Sequence, residues 1–294
     1  MKSYIIVTPC KNEEDNILQL ADSIINQTIL PKRWIIIDDG STDSTPELLK
    51  SLTSKYNWIH VQVLTNQKRD LSFHYAEIVN NGLNFALHIS KESEFTCDFL
   101  GLIDADMILS LDFFEKIITE FENNLKLGIA SGTVTYIVKG KRIIEKGRDN
   151  LPIGGLRVWN KKCFLDTGGF PISYSADSVS NVLALLHGWE IARFSHIQGI
   201  QTRETSSAEG LWRGYKTKGK SDYYRDYHPI YIIFKFFKYS FNFPYYLGFP
   251  YFYGYIVGIV KMNTKFEDVN VRKYYRNKHL EVINYYVNKV RSRL

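Results

Sequence analysis

The first half of the chain alternates between short runs rich in β-branched residues and longer helical patterns, and this alternation is the feature that most constrains the fold. Four strand-like runs each lead into a helical pattern. In chain order, the pairs are 4–8 with 14–26, 34–38 with 46–56, 60–64 with 73–90, and 99–104 with 111–124. Parallel strands need a crossover connection of about this length, and the crossover is usually a helix. The pattern therefore predicts an α/β fold.

Beyond Gly128 the pattern changes. The runs 129–138 and 142–144 are separated only by the turn Lys139-Gly140-Lys141, which is typical of an antiparallel hairpin. An antiparallel pair that joins a parallel sheet makes the sheet mixed. We therefore predict a mixed, mainly parallel sheet that is flanked by helices.

The cysteines and the start of the chain bear on the cellular compartment. Cys10, Cys97 and Cys163 are odd in number and lack the spacing of metal ligands, so we expect reduced thiols. The first strand-like run begins at Tyr4, which is too early for the apolar segment of a secretory leader to precede it. Both observations predict a cytoplasmic protein.

Charge is distributed unevenly along the chain. From Arg203 to the C-terminus there are 17 Lys and Arg residues against 7 Asp and Glu residues, whereas the preceding part has 20 against 24. The basic part is also rich in tyrosine and phenylalanine. We place a domain boundary at this change in composition. The prediction is one domain over residues 1–203 and a basic, aromatic-rich helical segment over residues 204–294.

Residues 239–260 form an uncharged aromatic run with three interpretations. Its length is close to the ~20 residues that span a bilayer, which allows a membrane-spanning helix. Two prolines, three glycines and six tyrosines favour a segment that lies in the membrane interface. The third interpretation is an ordinary protein core. We expect contact with the cytoplasmic membrane surface and no nucleic-acid partner, because no nucleic-acid-binding module is recognisable.

Two of the strand-like runs end in acidic residues. Burying carboxylates is costly unless they are paired, and ligands of open α/β sheets bind at the carboxyl ends of the strands. The acids therefore predict a ligand at this edge of the sheet, although Asp38 and Asp39 also fit a simple turn. The polar and turn residues that we expect there are Pro9, Lys11, Glu13, Asp39, Asp104 and Asp106.

We expect the tripeptide Asp104-Ala105-Asp106 to carry its two acids on one side of a strand, because side chains alternate along a strand. Two such carboxylates can converge on Mg²⁺ or Mn²⁺, and a diphosphate can fill the remaining positions. A lone D-x-D also fits a solvated turn. The tripeptide alone therefore leaves both interpretations open.

Taken in order, these motifs resemble those of the family-two glycosyltransferases, which adopt the GT-A fold. The resemblance covers roughly residues 3–203. Its five segments are Pro9-Cys10-Lys11-Asn12-Glu13, Asp38 to Asp43, Asn80-Asn81-Gly82-Leu83 with Ala86, Asp104-Ala105-Asp106, and Gly168 to Trp189. Each segment is weakly specific alone, and all five in this order are much more specific. The resemblance implies an inverting enzyme that uses a nucleoside-diphosphate sugar and Mg²⁺ or Mn²⁺.

The resemblance also implies roles for individual residues. The expected nucleotide-sugar-binding residues are Pro9, Lys11, Glu13, Asp39, Lys68, Arg69, Asp104 and Arg203. Within that set, Asp39 is expected near the base and Asp104 near the ribose, and the cations are candidates for contact with the diphosphate. Asp106, together with Asp104, is the expected metal ligand.

Asp177 is the candidate general base. The family carries a Glu-Asp pair whose aspartate is the usual base. Asp177 stands at the matching number of positions before Gly188-Trp189. Ala176 stands in place of the glutamate, which removes one carboxylate from the acceptor side. The alternative interpretation of Asp177 is a helix N-cap, because a helical run follows it.

The expected reaction is transfer of a sugar to a hydroxyl acceptor on a lipid-linked or cell-surface glycan. A synthase that loads a sugar onto a polyprenyl phosphate is the alternative within the class. A sugar nucleotidyltransferase normally needs a glycine-rich phosphate loop after the first strand, and the segment TPCKNEED has none. A non-catalytic nucleotide-sugar-binding subunit is the alternative of another class, and Ala176 is the departure that suggests it.

Overall fold

The computed structural model describes residues 2–64, 73–92, 95–138, 141–144, 151–202, 210–281 and 283–284. The chain divides into two compact units, Met1–Glu204 and Thr205–Leu294. Arg203, where composition predicts the domain boundary, lies outside the described residues.

The first unit is a sheet with helices packed against it. In chain order its elements are β1 (Tyr4–Cys10), α1 (Ile17–Ile25), β2 (Arg33–Asp38), α2 (Thr45–Lys55), β3 (Ile59–Val63), α3 (His74–Glu92), β4 (Phe99–Ile103), β5 (Met107–Leu109), α4 (Phe113–Asn123), β6 (Leu127–Val138), β7 (Lys141–Ile144), β8 (Leu156–Asn160), α5 (Lys161–Asp166), α6 (Ala176–Leu186) and β9 (Glu190–Gln201).

The strands form one mixed sheet in the order β3-β2-β1-β4-β8-β6-β9-β5, with β7 beside β6. Neighbours within β3-β2-β1-β4 are parallel, as is the β6–β9 pair. The pairs β4–β8, β6–β8, β5–β9 and β6–β7 are antiparallel. The predicted mixed sheet and the antiparallel pairing predicted after Gly128 are therefore confirmed, and the turn residues Lys139 and Gly140 lie outside the described residues. β5, β8 and β9 were not predicted as strands.

The sheet core lies on both faces of β1. Tyr4 and Ile6 pack in one apolar cluster with α1 and α4, whereas Ile5 and Val7 pack in the other with α3. This is the burial that a parallel strand without polar alternation predicts. Gly82 lets α3 come close to β1, because a Cβ at this position would lie 2.5 Å from Cγ1 of Val7.

The cysteines belong to this core. Cys10, Cys97 and Cys163 are all buried and free. Burial raises the pKa of the Cys97 thiol to about 11 and that of the Cys163 thiol to about 12. Both thiols are therefore protonated at neutral pH, which makes them poor nucleophiles.

The second unit is helical, as predicted, and consists of α7 (Leu211–Tyr224), α8 (Pro229–Ser240), α9 (Gly248–Val260) and α10 (Val269–Arg276). α7 and α9 touch backbone to backbone. A Cβ on Gly219 would overlap the carbonyl oxygen of Tyr251, and a Cβ on Gly254 would overlap that of Lys216. Glycine is therefore required at both crossing positions.

A buried carboxylate organises the side chains of the second unit. Asp222 accepts hydrogen bonds from Arg225 at 2.8 Å, Lys235 at 2.7 Å and Tyr251 at 2.6 Å. The ammonium of Lys235 also lies 4.4 Å from the ring centroid of Tyr227, within the range of a cation–π contact. Several of the tyrosines and basic residues are therefore core residues of this unit.

The predicted aromatic run 239–260 is divided between two helices. Its first residues end α8 at Ser240, and α9 begins only at Gly248. Tyr251 and Tyr255 are buried, whereas Phe241 and Phe243 are 77% and 84% exposed. In the part of the chain that the structure describes, no helix combines the length and the apolar character needed to cross a membrane.

Candidate active site

Three parallel strands bring their carboxyl ends to one edge of the first unit. β1 lies between β2 and β4, and in the β1–β2 register Pro9 lies opposite Ile37 and Cys10 opposite Asp38. The backbone N–H of Asp39 donates to the carbonyl oxygen of Cys10 at 2.8 Å. The segments that leave β1 and β2 therefore run side by side at the edge.

The two adjacent acids at the end of β2 have different surroundings. Oδ1 of Asp38 accepts from the backbone N–H of Ser41 at 3.0 Å and from its hydroxyl at 2.6 Å, so Asp38 stabilises the turn. Asp39 instead contacts two basic side chains: Oδ2 lies 3.0 Å from Nζ of Lys11, and Oδ1 lies 2.9 Å from Nε2 of His74. Of these two carboxylates, that of Asp39 is therefore the one that contacts side chains from neighbouring segments.

Glu13 belongs to a hydrogen-bond chain that ties the β1–α1 loop to the Asp-Ala-Asp turn. Its backbone N–H donates to the hydroxyl of Thr45, and its carboxylate accepts from the Asn16 side chain at 2.8 Å. The hydroxyl of Thr202 donates to the Asn16 side chain at 2.7 Å, and the backbone N–H of Thr202 donates to the carbonyl oxygen of Asp106 at 2.9 Å. This chain holds the end of β9 at the same edge.

Asp104 follows β4 and is held on two sides. Its Oδ1 accepts from the hydroxyl of Tyr75 at 2.8 Å, and its backbone N–H donates to the carbonyl oxygen of Gly155 at 2.9 Å. A Cβ on Gly155 would overlap Oδ2 of Asp104, so this position requires glycine. Burial first, and then the charge of Asp104, raise the pKa of Tyr75 well above its usual value. Tyr75 therefore stays a neutral hydrogen-bond donor.

β4 ends at Ile103, so Asp104-Ala105-Asp106 forms a turn and not the alternating strand that was expected from the sequence. Asp106 is nearly buried, and its Oδ2 accepts from the Gln201 side chain at 3.1 Å. In the described ranges, no group of three or more His, Cys, Asp and Glu side chains is arranged to hold a metal ion. Asp104 and Asp106 still offer hard oxygen donors of the kind that Mg²⁺ and Mn²⁺ prefer. A cation here fits these residues if its other ligands are water or phosphate oxygens.

Asp177 lies in the first turn of α6, and the N-cap position is Ser175. Asp177 is therefore not the N-cap residue, which was the alternative interpretation. Its half-buried carboxylate lies beside Gly154, where a Cβ would be 3.7 Å from Oδ2 of Asp177. Gly155 lies against Asp104, so the Gly154-Gly155 segment adjoins both the carboxylate at the end of β4 and the carboxylate at the start of α6.

Sequence reasoning missed three residues of this site. His74 and Tyr75 begin α3 and contact Asp39 and Asp104 respectively. Their position shortly before the recognised Asn80-Asn81-Gly82-Leu83 segment was the available signal. The third missed residue is a fully buried arginine on β8, Arg157. The predicted cations Lys68, Arg69 and Arg203 lie outside the described residues.

Comparison with protein families gives one match that covers most of the first unit. The model of the family described as Glycosyl transferase family 2 matches residues 5–177. The poly-beta-1,6-N-acetyl-D-glucosamine synthase of Staphylococcus aureus is 28% identical over 132 residues, which are 45% of this chain and 28% of that relative. The chain thus matches little more than a quarter of the length of this relative.

Solved structures share the fold at low identity. The crystal structure of S. aureus TarS 1-349 in complex with UDP superposes with a TM-score of 0.55 at 16% identity, over 82% of this chain and 73% of that chain. The mannosyltransferase PcManGT of Pyrobaculum calidifontis, in complex with GDP-Man and Mn²⁺, gives a TM-score of 0.54 at 14% identity, over 88% of this chain and 74% of that chain.

Proposed function

Because the chain belongs to glycosyl transferase family 2, we propose that it transfers a sugar from a nucleoside-diphosphate sugar to a hydroxyl group of a glycan or lipid-linked acceptor. One observation carries the proposal. Two carboxylates adjoin the short Gly154-Gly155 segment, Asp177 next to Gly154 and Asp104 next to Gly155. Two carboxylates beside one short segment allow one to bind the donor and the other to take the proton of the acceptor.

On the donor side, Asp39 is the proposed contact for the nucleotide base and Asp104 for the ribose. Asp39 is anchored by Lys11 and His74, and Asp104 is anchored by Tyr75. Anchored carboxylates lose little freedom when they accept a hydrogen bond from a ligand, which favours binding. Pro9 and Glu13 shape the loop beside them. Lys68, Arg69 and Arg203 remain the proposed diphosphate contacts on sequence grounds.

Asp106, together with Asp104, is proposed to hold Mg²⁺ or Mn²⁺. When bound, the cation would offset the negative charge that develops on the departing diphosphate. The hydrogen bond from Gln201 orients the Asp106 carboxylate, as partners outside a metal site commonly do. The Mn²⁺ in the related mannosyltransferase structure also supports this proposal.

On the acceptor side, Asp177 is the proposed general base. As the bond between the anomeric carbon and the diphosphate breaks, positive charge builds on the sugar ring. The acceptor oxygen attacks the opposite face of the ring, and its proton passes to the carboxylate of Asp177. The nucleoside diphosphate departs as the leaving group, and the configuration at the anomeric carbon is inverted.

Two alternatives remain and are distinguishable. A polyprenyl-phosphate acceptor is already anionic and needs no base, so it predicts that Asp177 is dispensable. A non-catalytic binding subunit predicts donor binding without turnover. Release of nucleoside diphosphate by the purified protein separates the enzymes from the binding subunit.

The first prediction concerns the donor. With Mn²⁺ present, either UDP-sugars or GDP-sugars are expected to raise the melting temperature of the full chain. A ligand at 100 times its Kd stabilises a protein by about 2.7 kcal/mol, which corresponds to a rise of roughly 5 °C for a protein of this size. The measurement is a thermal-shift screen over both nucleotide classes.

The control for this screen is Asp39→Ala, which removes the proposed base contact. Its shift with the same donor should shrink by more than half, while its melting temperature without donor is measured separately. A screen in which no nucleotide sugar shifts the wild-type chain would contradict the proposed donor class.

We also propose that the second unit binds the cytoplasmic surface of a membrane through an aromatic surface formed by Phe241, Phe243 and Phe249. These rings are 77%, 84% and 60% exposed. Lys238 and Lys261 are exposed near the ends of the same stretch. Cations near a bilayer surface are attracted to anionic headgroups by about 1 kcal/mol each, and aromatic rings anchor at the interface.

The second prediction tests this surface in the full chain. Wild-type protein is expected to sediment with anionic liposomes at low salt. Combined replacement of Phe241, Phe243 and Phe249 by serine should lower the partition coefficient at least ~100-fold. Each ring that inserts partly into the bilayer contributes about 1 kcal/mol to binding. Co-sedimentation measured over a lipid titration checks both statements.

A matched control places three serines at exposed apolar positions of the first unit, Leu111, Leu125 and Leu165. This variant should sediment like the wild type. If the wild type stays in the supernatant with anionic liposomes at low salt, the membrane proposal is wrong.

A further inference from the structure

Arg157 is a charged residue at the centre of the sheet. It lies on β8 between Leu102 of β4 and Ser131 of β6, and its exposed fraction is 0%. Arginine is rarely buried to this degree without a paired acid. Arg157 is therefore expected to have a role beyond packing in the strand.

The guanidinium bonds to backbone carbonyls from two separate segments. Nε donates to the carbonyl oxygen of Ile153 at 2.9 Å, and Nη2 donates to that of Pro152 at 3.1 Å. Nη1 donates to the carbonyl oxygen of Asp177 at 3.2 Å. Three of the five N–H donors of one planar group thus join the loop before Gly154-Gly155 to the first turn of α6.

The charge of Arg157 is balanced by groups of the candidate active site. Burial lowers the pKa of the guanidinium, and the charges of Asp177 and Asp104 act in the opposite direction. The ring of Trp159, whose centroid lies 5.2 Å from the guanidinium carbon, adds a cation–π contact. An uncompensated buried cation costs several kcal/mol, so these neighbours are what makes the position tolerable.

We propose that Arg157 is a positioning residue that sets the Asp177 carboxylate against the donor side of the active site. This inference rests on the proposed function, in which Asp177 accepts the proton of the acceptor. The guanidinium fixes the backbone of Asp177 relative to Pro152 and Ile153, and these precede the glycine pair that contacts Asp104. The placement of the Asp177 carboxylate relative to Asp104 therefore depends on the hydrogen bonds of one side chain.

The geometry explains why arginine suits this role. Its planar fork presents donors in fixed directions and can bond two backbone segments at once, whereas an ammonium is a point charge on a flexible chain. Misplacing a reacting group by about 1 Å can cost roughly 100-fold in rate. Loss of the fork should therefore lower kcat more than it changes donor binding.

The test is a double-mutant cycle with Arg157→Met and Asp177→Asn, measured as kcat and donor KM of the full chain. Arg157→Met is expected to lower kcat at least ~10-fold and to change donor KM by less than ~3-fold. In the Asp177→Asn background, the same replacement should lower kcat by less than ~3-fold, because residues that act through one another are not additive.

Two further variants separate positioning from a general loss of stability. Arg157→Lys keeps the charge and should recover part of the lost kcat. Phe121→Leu perturbs a buried ring that packs on Phe99, and it should lower the melting temperature without lowering kcat. If Arg157→Met does not fold, Arg157→Lys replaces it in the cycle with the same expected non-additivity.

An equal loss of kcat in both backgrounds would show that Arg157 acts independently of Asp177, which overturns the inference. A normal kcat for Asp177→Asn alone would instead refute the proposed base. The two failures are therefore distinguishable within one set of four proteins.

Discussion

Replacing Asp177 with asparagine is expected to slow sugar transfer to a hydroxyl acceptor at least ~100-fold, because the acceptor oxygen then lacks a base for its proton. The amide is nearly isosteric with the carboxylate and keeps the backbone carbonyl that Arg157 binds. The chain should therefore fold, with a lower melting temperature because the buried Arg157 loses one balancing charge, and should bind donor normally. The loss should appear in kcat with little change in donor KM.

The measurement is steady-state transfer, with donor binding followed separately by thermal shift. Asp166→Asn is a matched control, because Asp166 is an exposed acid at the end of α5 in the same unit. Its kcat should stay within about 2-fold of the wild type, as expected for most surface substitutions. Normal transfer by Asp177→Asn to a hydroxyl acceptor would remove Asp177 from the mechanism, and normal transfer to a polyprenyl phosphate would favour the synthase.

Replacing Asp106 with alanine is expected to abolish metal-dependent turnover. Asp106 is the nearly buried acid of the Asp-Ala-Asp turn, and its side chain is oriented by Gln201. A cation that offsets charge on a leaving diphosphate contributes several kcal/mol, and a loss of about 3 kcal/mol corresponds to roughly 100-fold in rate. We therefore expect the variant to lose at least that factor at any Mn²⁺ concentration.

Chelation of the wild type should stop turnover, and added Mn²⁺ or Mg²⁺ should restore it. The matched control is Asp112→Asn, a half-buried acid at the N-cap position of α4 that pairs with Lys116 at 2.7 Å. Its turnover should keep the wild-type dependence on Mn²⁺. Near-normal metal-dependent activity of Asp106→Ala would show that other residues hold the cation.

Much of the fold could be predicted from the sequence because its signals are local. The runs that became β1, β2, β3 and β4 are apolar enough to be recognised without their neighbours, and the helices between them show the 3.6-residue period. β8 escaped prediction because one of its five residues is the charged Arg157. A charged residue in a strand is acceptable only when distant segments supply its hydrogen bonds, and those segments are not adjacent in sequence.

The candidate site shows the same division. Asp39, Asp104, Asp106 and Asp177 were predicted because they end strands or begin a helix within a recognised order of motifs. Which partners they would have was not readable, since His74 lies 35 positions from Asp39. The surroundings of Asp39 also depended on the fold. Asp38 contacts Ser41, which is close in sequence, whereas the partners of Asp39 come from distant segments.

The C-terminal third shows most clearly what each level of description decides. Its composition determined that it would be basic, aromatic and helical. Composition alone does not distinguish a tyrosine that packs on a cation from a phenylalanine that faces outward. Only the tertiary structure buries Tyr251 against Asp222 and leaves Phe243 exposed. The physical reason is that burial is a property of contacts between distant segments, whereas composition and periodicity describe one segment at a time.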